Sequence, residues 1–363
     1  MSRPRSGIVG GGFMGQVHAH AVRAAGGVVS RVAGRTAEAA VDFRDRVQAE
    51  NAAASVEELV AADDVDVVHV CTPNMLHAEQ AALALDAGKA VICEKPLATS
   101  PKDAQVLAES AHRSGLVTSV PFVYRYYLAV REARVRIARG DAGTLWLLHG
   151  SYLQDWLSGS GDTNWRVDPV LGGVSRAFAD VGVHWCDLME FVTGQRITRL
   201  SARMAHAFPS RRMDDGRSEE STEDGALVLF ETDQGASGSV TVSQVSPGRK
   251  NRLWFSFDGP DAGYVFDHEQ PDALWVGGRL DSRIVPSGPD TLSPGAREGA
   301  RLPAGHPQGY QDCFNAFVGD VYAAVRGEPT EGRPTFDDGL RAATITAAVV
   351  ESAMNETWEE ITA

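Results

Sequence analysis

The sequence predicts an α/β fold in two parts: a doubly wound parallel sheet, then an α+β domain built on antiparallel meanders. Three observations carry this. Gly10-Gly11-Gly12-Phe13-Met14-Gly15 interrupts a strand-to-helix passage near the start. Strand-like and helix-like runs then alternate to residue 123. Beyond Tyr124, strand-like runs follow one another with few helices between them, a grammar of hairpins and not of crossovers.

The opening strand is Gly7-Ile8-Val9, and residues 15–25 read as a helix stopped by Gly26-Gly27. A second strand covers 28–33, Thr36 caps a helix running to Gln48, and 51–54 is a short third strand. Ser55-Val56-Glu57-Glu58 is a capping box, in which the serine accepts from the helix and a glutamate reaches back. A fourth strand covers 65–71, followed by Thr72-Pro73-Asn74 and a helix over 76–86. Ala90-Val91-Ile92-Cys93 is short, apolar and bounded by Gly88 and Pro96, which is how a strand buried in a parallel sheet reads. Ser100-Pro101 starts the next helix, and 116–123 is a sixth strand.

In the second part, strands are expected at 145–154, 197–207, 225–231, 236–245 and 252–257, separated by turns such as Asp258-Gly259-Pro260. One strong helix, 175–193 with Gly194 in the stop position, interrupts them. Residues 286–305 form an irregular excursion, and helices at 310–325 and 336–354 close the chain. Domains are therefore expected at 1–123 and 124–363, with the C-terminal helix free to pack back on the first.

Composition excludes several classes. The 363 residues are 43% hydrophobic, enough for a sizeable core and too many for a disordered chain. A net charge of −14 with no basic run argues against nucleic acid. No apolar stretch approaches the roughly 20 residues that span a bilayer, and no signal segment opens the sequence. Cys71, Cys93, Cys186 and Cys313 are far apart and form no CxxC pair, as expected of a cytoplasmic protein.

The glycine motif is weak alone, since glycines cluster in many turns. A strand before it, a helix after it and about 20 residues to the end of the second strand make it a dinucleotide site. Gly10 permits the tight turn, Gly12 lets backbone approach a pyrophosphate, and Gly15 lets the helix pack closely. The second strand ends in Gly34-Arg35-Thr36, without the acidic residue that usually takes the ribose hydroxyls. Arg35 then pairs with a 2′-phosphate, stacks on adenine or faces solvent, so NAD(H) and NADP(H) both stand. Lys95, in Glu94-Lys95-Pro96, follows a buried strand at the end where such sheets bind ligands, as a surface ion-pair partner or a catalytic group. On the strong helix, Asp180 and His184 are i and i+4 and share a face with Asp187. Taken alone, they fit a core histidine or a helical salt bridge better than a catalytic pair. A zinc site lacks a third ligand at recognisable spacing, so no metal is expected.

Together these residues resemble a known family. Gly10 to Gly15 with His18, Glu94-Lys95-Pro96, Arg125, Trp165-Arg166, Gly172-Gly173, Asp180-x-Gly182-x-His184 and Phe336-Asp337-Asp338-Gly339-Leu340-Arg341 carry the likeness. They are similar to the glucose–fructose oxidoreductase, inositol dehydrogenase and rhizopine catabolism (Gfo/Idh/MocA) family. The resemblance covers nearly the whole chain. It implies an N-terminal Rossmann domain, a C-terminal open, mostly antiparallel sheet, and NAD(P)-dependent oxidoreduction of sugars or cyclitols. It makes Lys95, Asp180 and His184 the catalytic positions. His184 would act as base, Lys95 would stabilise the substrate oxygen, and Asp180 would hold Lys95. Thr72, Asn74, His77, Trp165 and Arg166 would line the nicotinamide end. They join Gly10, Gly12, Phe13, Met14, Gly15, Arg35, Thr36, Glu94 and Lys95 as cofactor contacts.

For the substrate, Tyr152-Leu153-Gln154-Asp155-Trp156 alternates as a strand would and resembles a branch with anhydrosugar and glucoside 3-dehydrogenases. Tyr152, Gln154, Arg125, Arg176 and His306 are candidate contacts beside Lys95, Asp180 and His184, with ordinary packing the competing reading for each. Three function classes are distinguished: a dehydrogenase that releases reduced cofactor, a hydrolase or lyase that retains and regenerates it, and a non-catalytic sensor. A sheet with too few helices to cover both faces also predicts a homodimer or homotetramer.

Overall fold

The computed structural model describes residues 3–212, 218–220 and 222–361. The chain divides into two compact units. One runs to Val123 and takes in Tyr310–Ala343; the other comprises Tyr124–Gly309 and the residues from Thr344 on.

The first unit alternates β1 (Arg5–Val9), α1 (Phe13–Ala24), β2 (Val28–Ala33), α2 (Ala37–Val47), β3 (Asn51–Ala53), α3 (Val56–Ala61), β4 (Val67–Val70), α4 (His77–Asp86), β5 (Ala90–Cys93), α5 (Pro101–Ser114) and β6 (Thr118–Ser119). All six strands are parallel in the order β3-β2-β1-β4-β5-β6. Every residue of β4 and β5 is buried, so neither strand alternates with solvent-facing residues, and the one polar side chain of β4, His69, is buried too. Strand order reverses between β1 and β4, so a ligand site is expected beyond their carboxyl ends. The box at α3 forms: Ser55 Oγ accepts from Glu58 N (3.2 Å) and Glu58 Oε2 accepts from Ala54 N (2.9 Å). The sixth strand is shorter than the sequence suggested. Only Thr118 and Ser119 pair with β5, and a 3₁₀ turn follows at Val123–Tyr126.

The second unit holds α6 (Leu128–Ala138), β7 (Leu147–Leu153), α7 (Pro169–Gly172), α8 (Val183–Thr193), β8 (Ile197–Ala205), β9 (Ser210–Arg212), β10 (Ser218–Glu220), β11 (Gly225–Thr232), β12 (Ser237–Ser243), β13 (Arg252–Asp258), β14 (Gly263–Asp267), β15 (Ala273–Gly277), β16 (Ser282–Pro286) and α9 (Pro294–Arg297). Two long helices, α10 (Tyr310–Val325) and α11 (Phe336–Asn355), and a short β17 (Glu359–Glu360) end the chain. The unit boundary falls inside α11. Nine strands form one sheet, β16-β15-β14-β13-β7-β12-β11-β8-β17, antiparallel throughout except where β7 meets β12. One face is buried through Leu148, Tyr152, Leu253, Phe255, Phe257 and Val240. Trp185 of α8 packs on that face and donates to the Trp254 carbonyl (2.9 Å). The opposite face leaves Leu227, Leu229, Trp275 and Ile284 exposed. The strong helix differs from expectation at its start. Phe178–Gly182 is a π turn, closed by Val183 N–H on the Phe178 carbonyl, before α8 proper begins. No helix among the described residues is long and apolar enough to cross a membrane.

Candidate active site

In the first unit the glycine loop joins β1 to α1. Gly10 adopts φ 103°, and a side chain there would put Cβ 2.6 Å from the Cys71 carbonyl oxygen. A Cβ on Gly15 would lie 2.1 Å from the Gly10 carbonyl oxygen, so these positions require the absence of a side chain. Beside Gly12 the space is open to at least 4 Å. Gly12 caps α1 without any side-chain bond, and no acid stands in the first turn. Uncovered amides, the positive end of the helix dipole and open space fit the pyrophosphate of a dinucleotide. Phe13 is exposed and Met14 half-buried at this start. Arg35 and Thr36 lie on the surface past β2, where the Thr36 hydroxyl accepts from Ala39 N (3.2 Å) and caps α2. Arg46, which the motif reading passed over, donates to the Gly11 carbonyl (3.2 Å) and brings a second guanidinium to the loop.

Glu94, after β5, and His77, at the start of α4, are candidate cofactor contacts whose side chains turn into the protein. Glu94 Oε1 accepts from His18 Nε2 (3.1 Å), and its Oε2 accepts from Lys95 N (3.1 Å). Burial opposes charge on Glu94, but the His18 hydrogen bond together with the charges of His18, Lys95 and His77 outweighs it and keeps its pKa below the usual range. His18 Nδ1 lies 2.9 Å from His69 Nδ1, and His69 Nε2 lies 3.2 Å from Ser6 Oγ. Burial, then the charge of His18, pushes His69 well below an ordinary imidazole. His77 sits with Nδ1 2.7 Å from the Pro96 carbonyl and Nε2 2.9 Å from the Thr72 carbonyl, tying the two loops together. Thr72 Oγ1 donates to Gln80 (2.7 Å), and Asn74 opens a 3₁₀ turn. Lys95 is half-buried at the end of β5.

In the second unit Asp180 sits on the π turn at Phe178–Gly182, a turn wider than an α-helical one and here called the wide turn, and His184 sits on α8. Asp180 is half-buried. Its Oδ2 accepts from Gln244 Nε2 (2.7 Å), and its Oδ1 lies 3.4 Å from Arg166 Nε. The Arg166 guanidinium in turn stacks 4.4 Å over the Trp165 ring. His184 is buried, with its ring edge-on to Tyr124 (5.1 Å between centroids) and tilted against Tyr152 (6.3 Å). The hydroxyls of Tyr124 and Tyr152 bond to each other and to Asn251, which also accepts from Gln154 Nε2 (2.7 Å). Trp156 Nε1 donates to Gln154 (2.8 Å). Tyr152 and Gln154 thus belong to one polar cluster against the His184 ring.

Three further candidates are already engaged within the second unit. Asp187, expected beside Asp180 and His184, is buried in a two-pronged pair with Arg125. Arg125, read as a sugar contact, is engaged there and packs on the Phe191 ring. Arg176, also read as a sugar contact, is buried in an ion pair with Asp224. His306 is exposed on the segment before α10. Gln244, Tyr124 and Asn251 were missed: each lies on a strand or turn without a motif, and only the tertiary fold brings it to the site.

A parallel six-stranded nucleotide unit with an open glycine loop, followed by a large sheet whose covering helix carries an acid and a histidine, defines an oxidoreductase of the two-domain NAD-binding class. Residues 5–122 match the model of an oxidoreductase family with an NAD-binding Rossmann fold, and residues 130–264 match the GFO/IDH/MocA C-terminal domain. The chain belongs to the Gfo/Idh/MocA family. It is 30% identical to the levoglucosan dehydrogenase of Pseudarthrobacter phenanthrenivorans, over 98% of this chain and 97% of that one. It is 33% identical to the 1,5-anhydro-D-fructose reductase of Ensifer adhaerens, over 94% and 93%. A levoglucosan dehydrogenase solved with NADH and levoglucosan has a TM-score of 0.93 at 29% identity, covering 99% of this chain and 100% of that one.

Proposed function

We propose that this protein oxidises a secondary hydroxyl of an anhydrosugar, glycoside or cyclitol, or reduces the matching ketone, with C3 of a glucoside among the candidate positions. The observation that carries the reading is the placement of Asp180 and His184. An acid held by Arg166 and Gln244 precedes, by four residues, a buried imidazole set against two tyrosine rings. Similarity to enzymes of anhydrosugars along the whole chain supports the same substrate class. A dinucleotide, NAD(H) or NADP(H), with its pyrophosphate at the glycine loop would supply the hydride acceptor for oxidation and the donor for reduction. The imidazole of His184 takes the hydroxyl proton during oxidation and returns it during reduction. The Lys95 ammonium stabilises the oxygen as charge develops on it. Asp180 orients the substrate hydroxyl.

A panel of anhydrosugars, glucosides and inositols, assayed with both cofactors, tests the reading. Turnover should release reduced nicotinamide, and Lys95→Ala and His184→Ala should each lower kcat by about 10² or more with nucleotide affinity retained. Product formed without accumulation of reduced nicotinamide would select a hydrolase or lyase that regenerates its cofactor. Normal turnover in His184→Ala would move the base to Lys95 or Tyr152. Nucleotide binding without chemistry on any sugar would leave a sensor.

The reading includes a second copy of the chain on the open sheet face. Leu227, Leu229, Trp275 and Ile284 lie exposed on that face, a pattern that marks association surfaces. Light scattering should give at least a dimer mass at micromolar concentration, and a monomer mass would overturn it. A cytoplasmic location is supported by four unbridged cysteines, with Cys93 deeply buried and its thiol pushed up by burial and by Glu94.

A further inference from the structure

Glu223 and Asp224 lie far along the chain from the reactive helix, and no motif singles them out. Both side chains are buried. The Glu223 carboxylate accepts from the backbone N–H of Arg176 (2.9 Å), from that of Phe178 (2.9 Å) and from the Ser175 hydroxyl (2.7 Å). These are leading amides of the segment that carries Asp180 and His184. Ala177, in the N-cap position, makes no side-chain cap bond. The cap therefore comes from a residue 45 positions away from Phe178.

Asp224 fixes the surroundings. Its Oδ1 accepts from Arg176 and from Arg211 Nη2 (2.7 Å), and its Oδ2 accepts from Ala207 N (2.8 Å) and Phe208 N (3.1 Å). Arg211 also donates to the carbonyls of Leu157 (2.8 Å) and Gly159 (3.1 Å). The segments at 157–159 and 207–211 are thereby pinned to the start of the reactive helix.

A carboxylate on leading amides is favoured by charge-assisted hydrogen bonding and by the helix dipole. It also fixes rotation. Phe178 gives its N–H to Glu223 and its carbonyl to Val183, so the cap and the wide turn share one residue. A helix turns by about 100° per residue, so a slip of one position at the cap would swing Asp180 and His184 off their present direction.

We propose that Glu223 is a positioning residue for the reaction, setting the rotation of the wide turn and so the direction in which Asp180 and His184 are presented. This rests on the dehydrogenase reading above. Glu223→Gln preserves size but removes the charge, and its amide nitrogen cannot accept at the Oε2 position, where the Arg176 N–H now bonds at 3.0 Å. It should lower kcat about tenfold or more, because a small misplacement of a reacting group is costly. The dissociation constant for NADH, measured by fluorescence, should stay within about twofold, since the glycine loop is untouched. The discriminating measurement repeats the substitution in a His184→Ala background, where its effect on kcat should shrink because the group it positions is gone. A merely structural role would give the same factor in both backgrounds and would overturn the proposal, as would wild-type kcat in folded Glu223→Gln. If Glu223→Gln does not fold, Ser175→Ala removes one of the three donors and carries the same pair of measurements, with an expected loss of about threefold. A wild-type enzyme inactive on every sugar would overturn the dehydrogenase reading and this proposal with it. An active wild type with an unaffected variant would overturn this proposal alone.

Discussion

Arg35 stands exposed just past β2, where dinucleotide domains usually carry the acid that takes the ribose hydroxyls. If its guanidinium meets a 2′-phosphate, Arg35→Ala should weaken NADP far more than NAD, by roughly tenfold or more for a charge-assisted contact. Fluorescence titration with each nucleotide decides it: equal losses mean stacking on adenine, and no loss makes Arg35 a bystander. Single residues were legible where motif spacing fixed a backbone need, as with Gly10 and Gly15 around the loop, where no side chain fits. Guanidiniums were not. Arg125 and Arg176 look like anion or hydroxyl binders in sequence, but their partners Asp187 and Asp224 lie 62 and 48 positions away. Only the folded chain reveals that both are already engaged.

At the level of elements, the wide turn is what the sequence concealed. The reading of 175–193 as one helix placed its C-terminal end well, because Gly194 stops it in a left-handed conformation. The i, i+4 argument for Asp180 and His184 assumed a regular helix, whereas π turns interrupt helices often at functional sites. The sequence does contain one physical cause of the interruption, Gly182. A Cβ there would fall 2.5 Å from the Phe178 ring, so the ring and Gly182 must lie against each other. Gly182→Ala should therefore destabilise the fold by about 1–3 kcal/mol, as overpacking does, and lower kcat beyond the loss of folded protein. Denaturant titration and turnover of the folded fraction check both parts, and an unchanged midpoint would mean that the ring moves aside at little cost. The other cause, the Glu223 cap, comes from elsewhere in the chain and leaves no local trace. Strands β14 to β16 were also missed: they are short, and β16 is mostly exposed, so little apolar alternation marks them.

The molecule as a whole should be sensitive to mild acid. Burial pushes His69 well below an ordinary imidazole and lowers His77 and His268 as well. Unfolded, each would take up a proton as pH falls through about 6.5; folded, each resists to a lower pH. The unfolded state thus binds more protons in that window, so stability rises with pH across it and is lost as pH falls below about 6.5. Glu94, whose folded pKa is held below the usual range, adds a loss of the same sign at lower pH. Thermal midpoints should therefore begin to drop before the carboxylate range is reached, and His69→Gln should flatten that first slope; a midpoint level down to about pH 5 would mean these rings are not buried neutral. The alternation of strands and helices made the first unit readable almost to its boundary, but not its completion. Ser6 of β1 bonds Tyr322 of α10 at 2.7 Å across 316 positions, and Gln311 of α10 donates to the Val17 carbonyl of α1. During translation, all six parallel strands emerge long before α10 does. Until it arrives, the β1 and α1 surfaces that it covers stay wet, and the ribosome has by then made the entire meander. The contacts that cover β1 and α1 are thus among the last that the growing chain can make.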